Sequence, residues 1–550
     1  MASKTSASKR STESPEKQEK QQQQSNGTQN SKSAVPPKPY VRRVLFEWPE
    51  LPKWEIRLYQ FVIVCVISWG WYCVLNLSRH VPLSDGRKYR LSLEKLPMVG
   101  WTLRDNTNWE WRHYRVFLYR LIPALVVHSA LFNLADRLFD GATFRVQMFR
   151  TIVSIGVSAL CYGPTTVVTT AIHGAVIFGV TRLTKRKWAL WAATLPVLYS
   201  TLHRPLFRTY NDPFVELLLT SYKILCYISY NIEYLDGNTR PEDARVTDGF
   251  LRMLHYSFYL PYGTSVIVIY RDFEQQLAER HKEERSLKEI LWRALRIAFW
   301  FLLVDSMLYF AYFGAFLRHG QFLRQIRLDE LTALGATVGQ FFHLKYVVIF
   351  GVPRLFAYVD RMQPPDGPIC INRVALYSKV WRSFDRGLYR FFKEYIFLPI
   401  CRPTFSTWRK LVGVAMAYGF VLVWHGTRWH NIVWILLNVG ELFVESIARA
   451  IYSLEKVRRF REQRLSDVAF RRLIAAFFWV PYAMALYSNF YFLAGPTAGW
   501  TFVDRLFIAE SLTFHFPYWL MMVLSYCYAH VCMESDRWMA AKDNMKQKTQ

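Results

Sequence analysis

The run from Lys410 to Tyr452 reads KLVGVAMAYGFVLVWHGTRWHNIVWILLNVGELFVESIARAIY. Two apolar stretches, about 410–427 and 431–452, meet at a short polar step around Arg428. Each is close to the ~20 residues a helix needs to cross a hydrocarbon core. Two such crossings joined by a few residues describe a helical hairpin in lipid.

The rest of the chain repeats the pattern. Apolar runs appear at about 56–76, 115–135, 150–163, 165–183, 188–204, 213–232, 290–318, 331–358, 470–494 and 510–534. Of the 550 residues, 52% are hydrophobic, 17% aromatic and only 20% charged, which is too apolar and aromatic for a soluble chain of this length. The expected fold is an all-α polytopic membrane protein with ten to twelve membrane-embedded helices. Gly163-Pro164 splits the runs at 150–163 and 165–183 into two short helices or one broken one. Two amphipathic stretches, 249–270 and 385–400, read as re-entrant or interfacial.

The formal net charge is +27, yet the basic residues flank apolar runs, as in Thr184-Lys185-Arg186-Lys187 and Lys456-Val457-Arg458-Arg459. That placement fits anionic headgroups and positive-inside topology, and no nucleic-acid motif accompanies it. The bilayer is the expected partner and nucleic acid is excluded. No phosphate loop or dinucleotide turn is present, so ATP- and NAD-driven chemistry has no support.

Residues 1–40 are rich in Ser, Lys, Gln and Glu and lack large apolar side chains, which describes a disordered tail. The first apolar run, beginning near Ile56, then reads as a signal anchor with the basic tail in the cytosol. A membrane domain over 41–538 is expected, followed by a short cytosolic tail, 539–550. The ending Lys546-Gln547-Lys548-Thr549-Gln550 has the dilysine spacing of an endoplasmic-reticulum retrieval signal, with the Golgi as the alternative location. The polar segment 78–114, with Trp101, Trp109 and Trp111, is long enough to fold in part.

The eight cysteines are scattered and show neither zinc spacing nor a disulfide framework. Seven sit in or beside apolar runs, while Cys370 follows the polar junction Pro364-Pro365-Asp366-Gly367-Pro368. Ionisable groups within apolar runs are costly in a bilayer and hence candidates for function: His173, Asp305, His343, Lys345, Asp385, His425, Glu441 and Glu445. Asp305 is expected to pair with a neighbouring helix, and Glu441 and Glu445, four apart, share one helix face. His425 lies deep in Phe420-Val421-Leu422-Val423-Trp424-His425-Gly426, where the glycine permits close backbone approach. A buried histidine of this kind is either a hydrogen-bonded core residue or a catalytic one.

Trp381-Arg382-Ser383-Phe384-Asp385-Arg386-Gly387-Leu388-Tyr389, followed by Trp424-His425-Gly426 and by Leu437-Asn438 with Glu445, resembles the signature region of the Hedgehog acyltransferases, a branch of the membrane-bound O-acyltransferase family. The separation of 40 residues between Asp385 and His425 agrees with that signature. The resemblance extends more weakly from about Tyr256 to Trp538. Pro261-Tyr262-Gly263-Thr264-Ser265 departs from the family in lacking a second proline, which leaves the acceptor open.

The resemblance implies transfer of a long-chain acyl group, palmitoyl in particular, from acyl-CoA to the N-terminus of a secreted Hedgehog-type protein acceptor in the lumen. It implies His425 and Asp385 as catalytic residues, Trp381, Trp424 and Asn438 as substrate contacts, and Cys370 as a haem ligand. Imidazole, with an ordinary pKa of ~6.5, suits proton abstraction from an amine or hydroxyl near neutral pH. Lys379, Arg382 and Arg386 are candidates to meet either the CoA phosphates or lipid headgroups, the commoner role of arginines near a membrane surface. Three other readings stand beside this one: lipid or glycerol O-acylation by the same family, a non-catalytic regulator of secretory cargo, and a transporter.

Overall fold

Within a hydrocarbon core each backbone N–H and C=O must be satisfied by the protein itself, so a spanning chain is built from helices. The computed structural model describes residues 47–96, 100–139, 144–203, 212–508 and 516–548, and is helical almost throughout. Its principal helices are Lys53–Arg79 (α1), Trp109–Leu138 (α2), Phe144–Tyr162 (α3), Pro164–Thr184 (α4), Lys187–His203 (α5), Pro213–Leu235 (α6), Val246–Phe258 (α7), Tyr270–Glu279 (α8) and Leu287–Phe310 (α9). They continue with Leu328–Val359 (α10), Tyr377–Ser383 (α11), Arg386–Phe392 (α12), Thr407–His425 (α13), Trp429–Ser453 (α14), Asp467–Phe477 (α15), Trp479–Val503 (α16) and Phe516–Lys548 (α17). Shorter helical turns connect them.

Among the described residues, seven helical stretches are long and apolar enough to cross a membrane: α1 to α4, α10, α14, and the run Asp467–Ile508 that contains α15 and α16. The all-α polytopic architecture holds. Gly163-Pro164 makes two helices rather than one broken one: Gly163 takes φ +92°, and Pro164 occupies the first turn of α4, where its missing N–H costs nothing. Helix α6 carries Lys223 and Glu233, yet it is enclosed by protein, with nearly every residue from Leu218 to Glu233 buried.

Of the two expectations for 249–270, re-entrant or interfacial, the interfacial one fails, because the segment is buried in protein. All residues of 255–270 are buried, although 259–269 is turn and extended chain. Such backbone survives at membrane depth because side chains from neighbouring helices meet it. The Tyr256 hydroxyl donates to Val268 O at 2.6 Å, Ser265 Oγ donates to Ile349 O at 2.9 Å, and the Tyr270 N–H donates to Ser229 Oγ at 2.8 Å.

The polar segment before α2 folds into an antiparallel hairpin of β1 (Ser92–Leu96) and β2 (Gly100–Arg104). Its fully buried Arg104 supplies the partner of Asp305: the guanidinium pairs with the Asp305 carboxylate and with Glu94 at 3.3 Å, and donates to the Tyr309 hydroxyl at 2.7 Å. Asp305 also accepts from Trp111 Nε1 at 3.2 Å. Asp305 is thus held by a hairpin arginine and by a tryptophan of α2. Of the three tryptophans in this region, Trp111 is buried, and Trp101 and Trp109 are exposed.

The Ser- and Lys-rich stretch 1–40 lies outside the described residues, as do Thr549 and Gln550 of the dilysine ending. Helix α17 continues to Lys548, through the segment read as a short tail.

Removing one member of a buried ion pair leaves an uncompensated charge, which typically costs about 3–5 kcal/mol. Asp305→Ala leaves Arg104 with Glu94 as its remaining carboxylate partner, so a loss toward the lower end of that range and a lower thermal melting point in detergent are expected. The double variant Arg104→Met/Asp305→Leu should recover part of that loss, because the buried arginine is gone and the partly exposed Glu94 keeps its Tyr309 and Asn106 hydrogen bonds.

Candidate active site

Helix α13 ends at His425 because Gly426 takes φ +91°, a left-handed conformation that stops the helix. Gly426 N–H still donates to Leu422 O at 2.8 Å, and Asn431, on the first turn of α14, donates its amide to His425 O at 2.7 Å and Gly426 O at 2.9 Å. The close approach that Gly426 permits is made by His203 at the end of α5. A Cβ at position 426 would lie 3.0 Å from the His203 ring, and His203 Nε2 is 2.7 Å from Val423 O. The backbone around His425 is thereby clamped from two sides. Its ring stands edge-on to Trp434 and Phe492, with centroid distances of 5.1 and 5.2 Å.

Asp385 sits between α11 and α12 and caps the latter, accepting from Leu388 N–H at 2.9 Å. The start of α12 presses on the extended chain after α7: a Cβ on Gly387 would fall 1.9 Å from Ile267 O. Only glycine fits there.

Asp385 and His425 face one cavity of about 380 Å³. No hydrogen bond joins the two among the described residues. Trp381 and Trp424 line the same cavity, with Tyr222, Tyr346, Asn489 and Phe492. Asn438 is fully buried and takes another position: it accepts from Trp381 Nε1 at 2.9 Å and donates to Trp434 O at 2.5 Å. Its contact is with the wall tryptophans, which it orients. Cys370 is a half-buried free thiol just before the turn Ile371–Arg373; Ile371 and Asn372 reach the cavity wall.

A second, polar pocket of about 380 Å³ shares Ile267 and Tyr389 with the first. Arg382, Arg386, Arg390 and Lys393 line it, facing Asp272 and Glu394. Of the three basic residues expected to meet phosphates, Arg382 and Arg386 are here. Lys379 is paired with Asp536 instead.

Sequence reasoning missed Asn489 and placed Glu441 only on a helix face, yet both line the cavity. Asn489 stands in the apolar stretch Tyr487-Ser488-Asn489-Phe490-Tyr491-Phe492, so a search for uncharged polar residues in spans, rather than ionisable ones alone, finds it.

The membrane-bound O-acyltransferase family model matches residues 175–488, more than half of the chain and the part that carries Asp385 and His425. The chain belongs to that family. Mouse protein-cysteine N-palmitoyltransferase HHAT is 26% identical over 499 residues, covering 88% of this chain and 98% of the mouse protein. Drosophila melanogaster protein-cysteine N-palmitoyltransferase Rasp is 25% identical over 501 residues, 87% of this chain and 94% of the fly protein. The mouse HHAT-like protein is 23% identical over 299 residues, 54% of this chain and 58% of that one. As a member of the membrane-bound O-acyltransferase family, the protein is a membrane acyltransferase.

Gly387→Ala is expected to lower acyl transfer at least about tenfold and to lower the melting point, since neither Ile267 O nor α12 can yield without moving Asp385. Gly419→Ala, in α13 with open space around its Cβ, should retain activity and gain a few tenths to about 1 kcal/mol of stability. Parallel melts and transfer assays of the two variants check both outcomes.

Proposed function

We propose that this acyltransferase moves a long-chain acyl group, palmitoyl in particular, from acyl-CoA to the N-terminal amine of a secreted Hedgehog-type protein. The two long relatives, both protein-cysteine N-palmitoyltransferases spanned almost end to end, support the acceptor class. One observation carries the donor. The apolar cavity follows one face of α16 from Leu493, beside the His425 level, to Pro481, twelve residues away. That is about 18 Å at the helical rise. A palmitoyl chain of fifteen carbon–carbon bonds, each advancing about 1.25 Å for a 1.52 Å bond at tetrahedral angles, is about 19 Å long. The adjoining polar pocket, with Arg382 and Arg386 in its wall, suits CoA phosphates.

In this reading His425 accepts a proton as the acceptor amine attacks the thioester carbonyl carbon. The tetrahedral oxyanion that forms needs a donor, and the Asn489 amide faces the cavity one helical turn from Phe492, which packs on the His425 ring. The carbon–sulfur bond then breaks, the amide is retained on the acceptor, and the imidazolium returns its proton to the departing CoA thiolate. Asp385, beside the Ile267 and Tyr389 boundary with the polar pocket, positions the donor. Acyl-CoA then enters from the cytosolic face and the protein acceptor from the lumen. Cys370 would hold a haem iron: a thiolate is a known axial ligand, and this thiol is free, half-exposed and clear of disulfides. Haem bound there would supply redox-active iron, and acyl transfer itself uses only the side chains already named.

The test is transfer of labelled palmitoyl-CoA to a peptide with a free N-terminal cysteine. His425→Ala is expected to reduce transfer by about 10²–10⁴-fold and Asn489→Ala by about 10²–10³-fold, with melting points retained. Labelled lipid products without labelled peptide, or transfer that survives His425→Ala, would overturn the proposal.

A further inference from the structure

Helix α14 carries Glu441 and Glu445 on one face, and the structure treats them differently. Glu445 is engaged: it accepts from Ser378 N–H at 3.0 Å and pairs with Arg449 at 3.1 Å. Glu441, 1% exposed, lines the apolar cavity, and its Oε2 has no hydrogen-bond partner among the described residues. The polar side chains around it are occupied with one another. Asn438 is held by Trp381 Nε1 and Trp434 O, and the Tyr377 hydroxyl meets Ser488 Oγ at 3.3 Å. A buried carboxyl oxygen aimed into a cavity without a partner is unfavourable unless something in the cavity solvates it.

Its place along the cavity gives it a consequence. Helices α14 and α16 run antiparallel, with Trp434 stacked on Phe492 at 4.1 Å and a Cβ on Gly440 falling 3.3 Å from Met484 Cε. Trp434 packs on the His425 ring, and Glu441 lies seven residues further along α14, about 10 Å away. An acyl chain with its carbonyl at His425 reaches Glu441 at about its eighth carbon, at about 1.25 Å per bond. Between the two levels the wall is aromatic, formed by Trp381, Trp434 and Phe492. A chain of eight carbons ends at Glu441 and leaves water on the carboxyl. A chain of sixteen passes it and strips that water away.

We infer that Glu441 is a specificity-determining residue of the acyl cavity, one that weakens the preference for chains longer than about eight carbons. Long chains still win, because each additional buried methylene favours them by about fourfold, but by less than the count of methylenes alone dictates. The inference rests on the acyl-CoA reading given above.

The experiment measures binding of labelled octanoyl-CoA and hexadecanoyl-CoA to the purified full-length protein, and their kcat/KM in transfer, for wild type, E441L, E441M and E441Q. The hexadecanoyl-to-octanoyl ratio should rise about tenfold in E441L and E441M, equivalent to 1.4 kcal/mol, and stay within about threefold of wild type in E441Q, whose amide is stripped of water just as the acid is. A ratio that does not move in E441L or E441M, or a loss shared equally by both chain lengths, overturns the inference and assigns Glu441 a structural role. Failure of the wild type to bind either acyl-CoA overturns the acyl-CoA reading as well, so the two failures are told apart.

Discussion

The constraint on which the structure turns is the burial of irregular backbone at 259–269. Chain that is neither helix nor sheet exposes its own N–H and C=O groups, and in a membrane protein it persists only where other protein groups satisfy them. Here side chains meet part of that backbone, as Tyr256 does at Val268 O, and the segment's own side chains are anchored in turn. Lys223 of α6, fully buried, points its ammonium at Gly263 O at 3.4 Å, and the Tyr162 hydroxyl at the end of α3 donates to Thr264 Oγ1 at 3.2 Å. Ser265 reaches α10 through Ile349 O. The segment therefore ties α3, α6 and α10 together, and its far end, Ile267, forms the surface on which Gly387 seats α12. Asp385 is placed by that seat. A lysine with no carboxylate partner would be hard to justify in an apolar helix on its own terms, and its reach to Gly263 gives it a reason to be there.

That the apolar runs form helices was readable from hydropathy, as was an interruption at Gly163-Pro164, because apolar content and a helix-stopping dipeptide are local properties. Which of them cross was not, since the runs at 188–204, 213–232, 290–318 and 410–427 form helices outside the seven that are long and apolar enough. The signature around Asp385 and His425 was equally legible. What sequence could not supply was which faces meet. Asp305 does meet a neighbouring helix, through Trp111 and Arg115 of α2, but its shortest ion pair is with a hairpin arginine about 200 residues away that hydropathy could not point to. Asn438, part of the same signature, turns away from the cavity to hold Trp381, and Lys379 is tied to Asp536 while its neighbours Arg382 and Arg386 line the polar pocket. Residues 255–270 read as re-entrant or interfacial, and burial in protein rules out the second. In each case the residue type was informative and its direction was not, since direction depends on how helices far apart in sequence are rotated against one another.

His425 and Asp385 illustrate the same division at the level of chemistry. His425 ends a long helix and Asp385, 40 residues earlier in the chain, begins a short one, and among the described residues no hydrogen bond makes them a dyad. What joins them is a shared wall. His425 is fixed through the backbone around it, by Asn431 on one side and His203 on the other, while its ring packs edge-on to Trp434 and Phe492 at the cavity wall. Asp385 has one carboxylate oxygen committed to the Leu388 N–H and sits where the apolar cavity meets the basic pocket.

That junction suits a donor with two unlike ends. An acyl-CoA is a long apolar chain joined through a thioester to a polyanionic carrier, and no single lining can favour both. An apolar channel would desolvate the phosphates at great cost, while a polar one would gain nothing from the methylenes. Two pockets that share Ile267 and Tyr389 in their linings would separate these demands in space. The boundary is also where the buried backbone segment, the glycine seat of α12 and the cap made by Asp385 converge. A change in the packing of 259–269 would consequently shift the wall between the two pockets before it reached the imidazole, because Ile267 belongs to that wall and His425 is anchored separately by Asn431 and His203.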